Sequence, residues 1–83
     1  MTEKKKRRKL YHFENMIKDG INYYMCFPVK HVETKKHGMR YMLTDPLTDE
    51  LKTKLSKYDN VVIGNAYHKY APEIKCMYLI ILE

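Results

Sequence analysis

The 83-residue chain predicts an α+β fold: a two-layer α/β sandwich of element order αββαββ, with a four-stranded, mostly antiparallel sheet, two short helices and a flexible basic N-terminal arm. Three observations carry this prediction. Apolar residues recur at helical spacing in two short stretches. They recur at period two in four others. Each neighbouring pair of period-two stretches is joined by a polar turn, which makes two hairpins and hence antiparallel pairing. A chain of this size forms one domain, residues 10–83, whose thin core buries about 60–65% of the unfolded surface. A hydrophobic share of 45% and a charged share of 31% suit a folded chain rather than a disordered one.

Residues 1–9 carry Lys4, Lys5, Lys6, Arg7, Arg8 and Lys9 against Glu3, a net charge of +5, while residues 10–83 hold 10 basic and 9 acidic groups. Adjacent like charges repel, and they would face the positive end of any helix dipole, so a disordered arm over 1–9 is expected. Leu10, Phe13, Met16 and Ile17 follow at offsets 0, 3, 6 and 7. That spacing predicts a helix over 10–19 with its stripe on the core and Gly20 as its stop. Ile21, Tyr23, Met25, Phe27 and Val29 then alternate with Asn22, Tyr24, Cys26 and Pro28, placing the first set on one side of a strand within 21–33. Pro28 has no N–H to give, which puts that strand at an edge or a bulge at Pro28. After a polar turn at 34–38, Met39, Tyr41 and Leu43 share one side of a second strand.

Asp45-Pro46 reads as a capping carboxylate followed by proline at the first helical position, with Asp49 and Glu50 in the first turn. The stripe of this helix is Leu47, Leu51, Leu55 and Tyr58, and it ends near Tyr58. A third strand is predicted over 61–70, weakened at Gly64. The fourth, 74–82, has Ile74, Cys76, Tyr78, Ile80 and Leu82 on one side and Met77, Leu79 and Ile81 on the other. A strand apolar on both sides is central or covered twice. Two helices cover one face of a four-stranded sheet, and a second copy is an economical cover for the other, so a homodimer is expected. The halves 10–44 and 45–83 share their element order with a poor residue match.

Function classes narrow by exclusion. The longest apolar run, residues 77–82, is far short of the roughly 18–20 residues that cross a bilayer, and the basic start leads into His12, Glu14, Lys18 and Asp19 rather than a signal-peptide core. A cytoplasmic protein is expected. Cys26 and Cys76 are isolated from any other cysteine, which argues against a zinc ribbon or redox pair; two buried thiols are expected, with a disulfide left open if their strands are neighbours. Cys26, His31 and His37 have ligand-like spacing, but Cys26 and His31 have opposite parity on a strand. No metal and no cofactor are expected. Ser56 has no nearby histidine, and Gly20, Gly38 and Gly64 are isolated, so neither a catalytic residue nor a phosphate loop is assigned and the chain is read as a non-enzyme.

Nucleic-acid binding has the most support. Its candidate residues are Lys4, Lys5, Lys6, Arg7, Arg8 and Lys9 in the arm, with Lys30, Lys35, Lys36, His37 and Arg40 around the first hairpin, where His31 adds a further imidazole. Terminal arms and two-stranded ribbons both enter DNA grooves, which places DNA ahead of RNA. Tyr11, Tyr23, Tyr24 and Tyr41 would stack on bases if exposed, or pack in the core if not. The alternative is an effector that inhibits or recruits a host protein through a sheet edge or an exposed apolar face. Membrane attachment through 4–17 ranks last, because His12 and Glu14 interrupt the amphipathic pattern.

The chain has 13 Lys and 8 Tyr, no Gln, no Trp, one Ser and two Ala. Gln depletion with Lys enrichment points to a thermophile. In size and composition the chain resembles small basic proteins encoded by viruses of hyperthermophilic archaea, including the rod-shaped ones. The resemblance carries no motif and transfers no functional residue. It implies a host-cell cytoplasmic setting and a host protein as a partner.

Overall fold

The computed structural model describes residues 10–67 and 69–83; the arm expected over 1–9 lies outside the described residues, as does His68. Helix α1 (Phe13–Lys18) leads into strands β1 (Tyr23–Lys30) and β2 (His37–Leu43). Helix α2 (Asp49–Leu55) leads into β3 (Val61–Tyr67) and β4 (Lys75–Leu82). The four strands form one sheet in the order β1-β2-β4-β3, every neighbouring pair antiparallel. The apolar pattern on both sides of β4 agrees with its central place, and Pro28 sits on an edge strand, where its missing N–H costs no ladder bond.

Both helices contribute to one core. Tyr11, Met16, Leu47 and Leu55 pack with Tyr41, Leu43 and Leu79 of the sheet. The side chains of Tyr11, Met16, Leu55 and Leu79 are wholly buried. The predicted stripe Leu47, Leu51, Leu55 and Tyr58 meets this core, with Leu51 and Leu55 on helix α2 and Leu47 and Tyr58 just outside its ends. Its start, however, lies after Asp45-Pro46. Thr48 is the cap, and its side chain accepts a hydrogen bond from the Leu51 N–H at 3.2 Å. Two capping signals compete three residues apart, and the later one lets the chain enter in extended form with Leu47 already buried.

Helix α1 departs further from its pattern. It is six residues long and begins at Phe13, not Leu10. Leu10 and Ile17 are 58% and 60% exposed, so the expected core stripe reduces to Met16, with Phe13 at the margin, while Tyr11 takes the buried place. The cause is polar. Asn60 holds the Tyr11 backbone outside the helix by accepting from its N–H and donating to its carbonyl, and His12 after it is extended. At the other end, Gly20 takes φ +76° and its N–H reaches the Ile17 carbonyl, while the Ile21 N–H reaches that of Met16. These two bonds end the helix at the predicted glycine, and Ile21 packs with Met16.

The predicted face of β1 splits at a bulge. The register shifts between Tyr23 and Met25, so Tyr23 lies opposite Leu43 but Cys26 and Pro28 lie opposite Tyr41 and Met39. Tyr23 therefore points to the helices, and Met25, Phe27 and Val29 point to the opposite face with Met42, Arg40 and Gly38. One extra residue inverts every later position, which strict alternation cannot foresee.

Candidate functional site

The end of the sheet near Leu10 gathers most of the predicted cations that are described. Lys30 and His37 are direct cross-strand partners at the close of the β1–β2 ladder, and Lys35 and Lys36 lie in the connecting turn; all four are exposed. The turn is built by its own side chains. The His31 N–H donates to the Lys36 carbonyl at 2.9 Å and the Lys35 N–H to the His31 carbonyl at 2.7 Å. The His31 imidazole Nδ1 lies 3.0 Å from the Thr34 hydroxyl, and Lys35 takes φ +60°. His31 thus serves the turn's geometry.

The root of the basic segment is at this same end. Leu10, Tyr11, Val29 and His37 line one cavity of about 460 Å³. Asn60, buried to 6% exposure, fixes the direction of the chain there. Its Oδ1 accepts from the Tyr11 N–H, and its Nδ2 donates to the carbonyls of Tyr11 and Leu82. The Leu82 N–H returns to the Asn60 carbonyl, and the Glu83 N–H to that of His37. Local sequence patterns do not single out Asn60, because a side chain that bonds three distant backbone groups leaves no local pattern. Lys4, Lys5, Lys6, Arg7, Arg8 and Lys9 lie outside the described residues.

Arg40 does not join this cluster, which corrects its predicted place. It sits inside β2, opposite Phe27 on one side and Ile80 on the other, on the sheet face turned away from the helices. Its guanidinium carbon lies 3.8 Å from the centre of the Tyr78 ring and 5.8 Å from that of Phe27. The Tyr78 ring in turn lies over Gly64, its partner on β3, where a Cβ would collide with the ring and hydroxyl. Glycine is needed there for close approach, not as a weak point of the strand. The Arg40 Nε is buried with no acceptor. No Asp or Glu occurs in any of the four strands, so among the described strand residues Arg40 is the one charge on a face otherwise made of residues such as Met25, Met42, Val62 and Ile80.

The tyrosines proposed for base stacking divide. Tyr11 and Tyr41 are buried, and Tyr23 packs on the core. Tyr23, Tyr41 and Phe13 form an aromatic cluster with ring centres 5.0–6.0 Å apart. Burial pushes the Tyr41 phenol above its ordinary pKa, with a smaller contribution from Cys26. Only Tyr24 is exposed. Its hydroxyl lies 3.7 Å from the Cys76 sulfur, a contact that raises its pKa, with burial adding to the effect. Tyr24 shares a groove of about 240 Å³ with Phe27, Arg40 and Tyr67, at the end of the sheet away from Leu10.

Neither cysteine is a buried thiol: Cys26 is exposed and Cys76 half-buried. They point to opposite faces of strands separated by β2, which rules out the disulfide. Among the described residues, no group of three His, Cys, Asp or Glu side chains is arranged to hold a metal ion, and no helix is long and apolar enough to cross a membrane.

One polar cluster locks the helices together. The Tyr11 hydroxyl donates to Asp19 at 2.5 Å, and the Lys54 ammonium donates to the other Asp19 oxygen at 2.6 Å. Burial pulls the Asp19 carboxyl upward, but the bonds from Lys54 and Tyr11 outweigh it and hold the pKa below the usual carboxylate range. Burial, reinforced by Asp19, drives the Tyr11 phenol well above its ordinary value. The arrangement joins the end of α1 to the exposed side of α2.

Compared with known proteins, the chain matches no family model, no curated protein and no solved structure.

Proposed function

We propose that this two-layer α/β body is a non-enzymatic nucleic-acid-binding protein, with duplex DNA ahead of RNA, working through residues 4–9 and the β1–β2 turn. The observation that carries the reading is the shared cavity of Leu10 and His37. Asn60 clamps the backbone at Tyr11, and Leu10, the residue that follows the six cations in sequence, lines the same cavity as His37 at the turn end of the β1–β2 hairpin. A single phosphate backbone can meet both groups. Each phosphate neutralised releases counterions, so affinity falls with salt at a log–log slope of about −0.9 per contact.

The test compares the full chain with a version lacking residues 2–9 in gel shifts on duplex DNA over a salt series. Loss of the arm's six cations is expected to make the slope shallower by about 5, leaving the shortened chain weak binding with a slope of about −2 from Lys35 and Lys36. Changing Lys35 and Lys36 to Glu in the full chain is expected to weaken binding about tenfold, in line with the loss of two phosphate contacts. Equal affinity of full and shortened chains would end the proposal.

A further inference from the structure

The sheet face turned away from the helices calls for an occupant, and its one charge indicates which. Arg40 is the only arginine outside residues 1–9 in a chain with 13 lysines. A guanidinium differs from an ammonium in its planar fork, which stacks on aromatic rings and grips a carboxylate through two parallel hydrogen bonds. Here the plane is already stacked on Tyr78, and that ring is seated on Gly64. The fork is therefore held before any partner arrives, and less side-chain freedom remains to be lost on binding. Yet its Nε is shielded from water and has no acceptor among the described residues.

We infer that this face is a docking surface for a protein segment that presents apolar side chains around a single carboxylate, received by Arg40 beside the groove of Tyr24, Met25 and Phe27. Charge complementarity selects this occupant. A second copy centred on the face would bring Arg40 against Arg40, with no acid on any strand to offset the repulsion. A nucleic acid strand would meet one cation among methionines and aliphatic residues, leaving its other phosphates unmatched. An apolar segment with one Asp or Glu matches both the surface and the charge. The inference is independent of the DNA reading, which uses the opposite end of the β1–β2 hairpin.

The probe is a library of short random peptides displayed on phage, selected on the full-length protein in high salt with nuclease present. Enriched sequences are expected to carry one Asp or Glu flanked by apolar residues. Changing that acid to its amide, or Arg40→Met in the protein, should each weaken binding at least about thirtyfold. Arg40→Lys should restore only part of it, because the charge returns without the fork. DNA gel shifts of Arg40→Met should be unchanged, whereas the version lacking residues 2–9 should keep its peptide binding. Should Arg40→Met fold poorly, the Nε–H resonance of wild-type Arg40 should shift with the acidic peptide and stay fixed with its amide counterpart.

Failure to enrich any peptide, enrichment of peptides without an acid, or equal binding by Arg40→Met would overturn the inference. So would a dimer in sedimentation that Arg40→Met strengthens, since that identifies a second copy as the occupant. A loss of DNA affinity in Arg40→Met would assign the face to nucleic acid instead.

Discussion

The two faces of the sheet draw on the same strands and on similarly apolar residues, but they solve different problems. On one, Tyr41, Leu43 and Leu79 disappear beneath Met16 and Leu55 from the helices and Leu47 from the segment before α2. On the other, Met42, Tyr78 and Phe27 are half-buried around a stacked arginine. The first face is closed by burial and then fastened at its margins by polar bonds, through Asn60 on one side and Asp19 on the other. The second is shielded by its own side chains and leaves the Arg40 Nε without an acceptor among the described residues. Apolar content alone thus does not separate the two faces. A charge without an acceptor among the described residues does, because a folded core does not keep one.

The largest expected effect follows from that contrast. Leu79→Ala on the covered face should lose about 3 kcal/mol in urea unfolding, from a side chain with no exposure. Phe27→Ala on the open face should lose about 1 kcal/mol. Equal losses would mean the open face is as much a core as the other. Asn60→Ala comes next, at about 2 kcal/mol, because the Tyr11 N–H and the Leu82 carbonyl lose buried partners. Amide exchange at Tyr11 should rise at the same time, and an unchanged rate would show that the clamp does not hold the chain there.

The smallest effect concerns pH. The Asp19 pKa is lowered on folding, so its contribution is present above the ordinary Asp value near pH 4 and is lost as pH falls through the folded value. Asp19→Asn should therefore be less stable than wild type at neutral pH and converge with it in acid. The Tyr11 shift has the opposite sign, so wild-type stability should fall as pH rises above about 10. Parallel stability curves for the two proteins below pH 4 would remove Asp19 from the fastening of the covered face.

Much of the architecture was readable because it rests on short-range periodicity. The α2 stripe, the stop at Gly20, both hairpins and the central place of β4 all follow from spacing that any window of the chain displays. The misplacements share a different cause. Asp45 and Thr48 are both good caps, and only the burial of Leu47 chooses between them. Tyr11 lies outside the predicted stripe of the first helix, and its inward place rests on Asn60, 49 residues away. Arg40 looked like part of a basic turn because it lies three residues from His37, yet strand parity turns it to the other face.

By itself, the amino-acid order determined that the chain makes an αββαββ domain, that its fourth strand is apolar on both sides, and that its net positive charge is concentrated before Leu10. These are properties of neighbours in sequence, set by local backbone geometry and by where charges occur. Only the tertiary structure decided which side of the sheet the helices cover, where β1 inverts, and that a tyrosine seated on a glycine holds Arg40 without a counter-ion. Those outcomes depend on residues from separate strands meeting across the sheet, and a one-dimensional pattern carries no record of the register in which they meet.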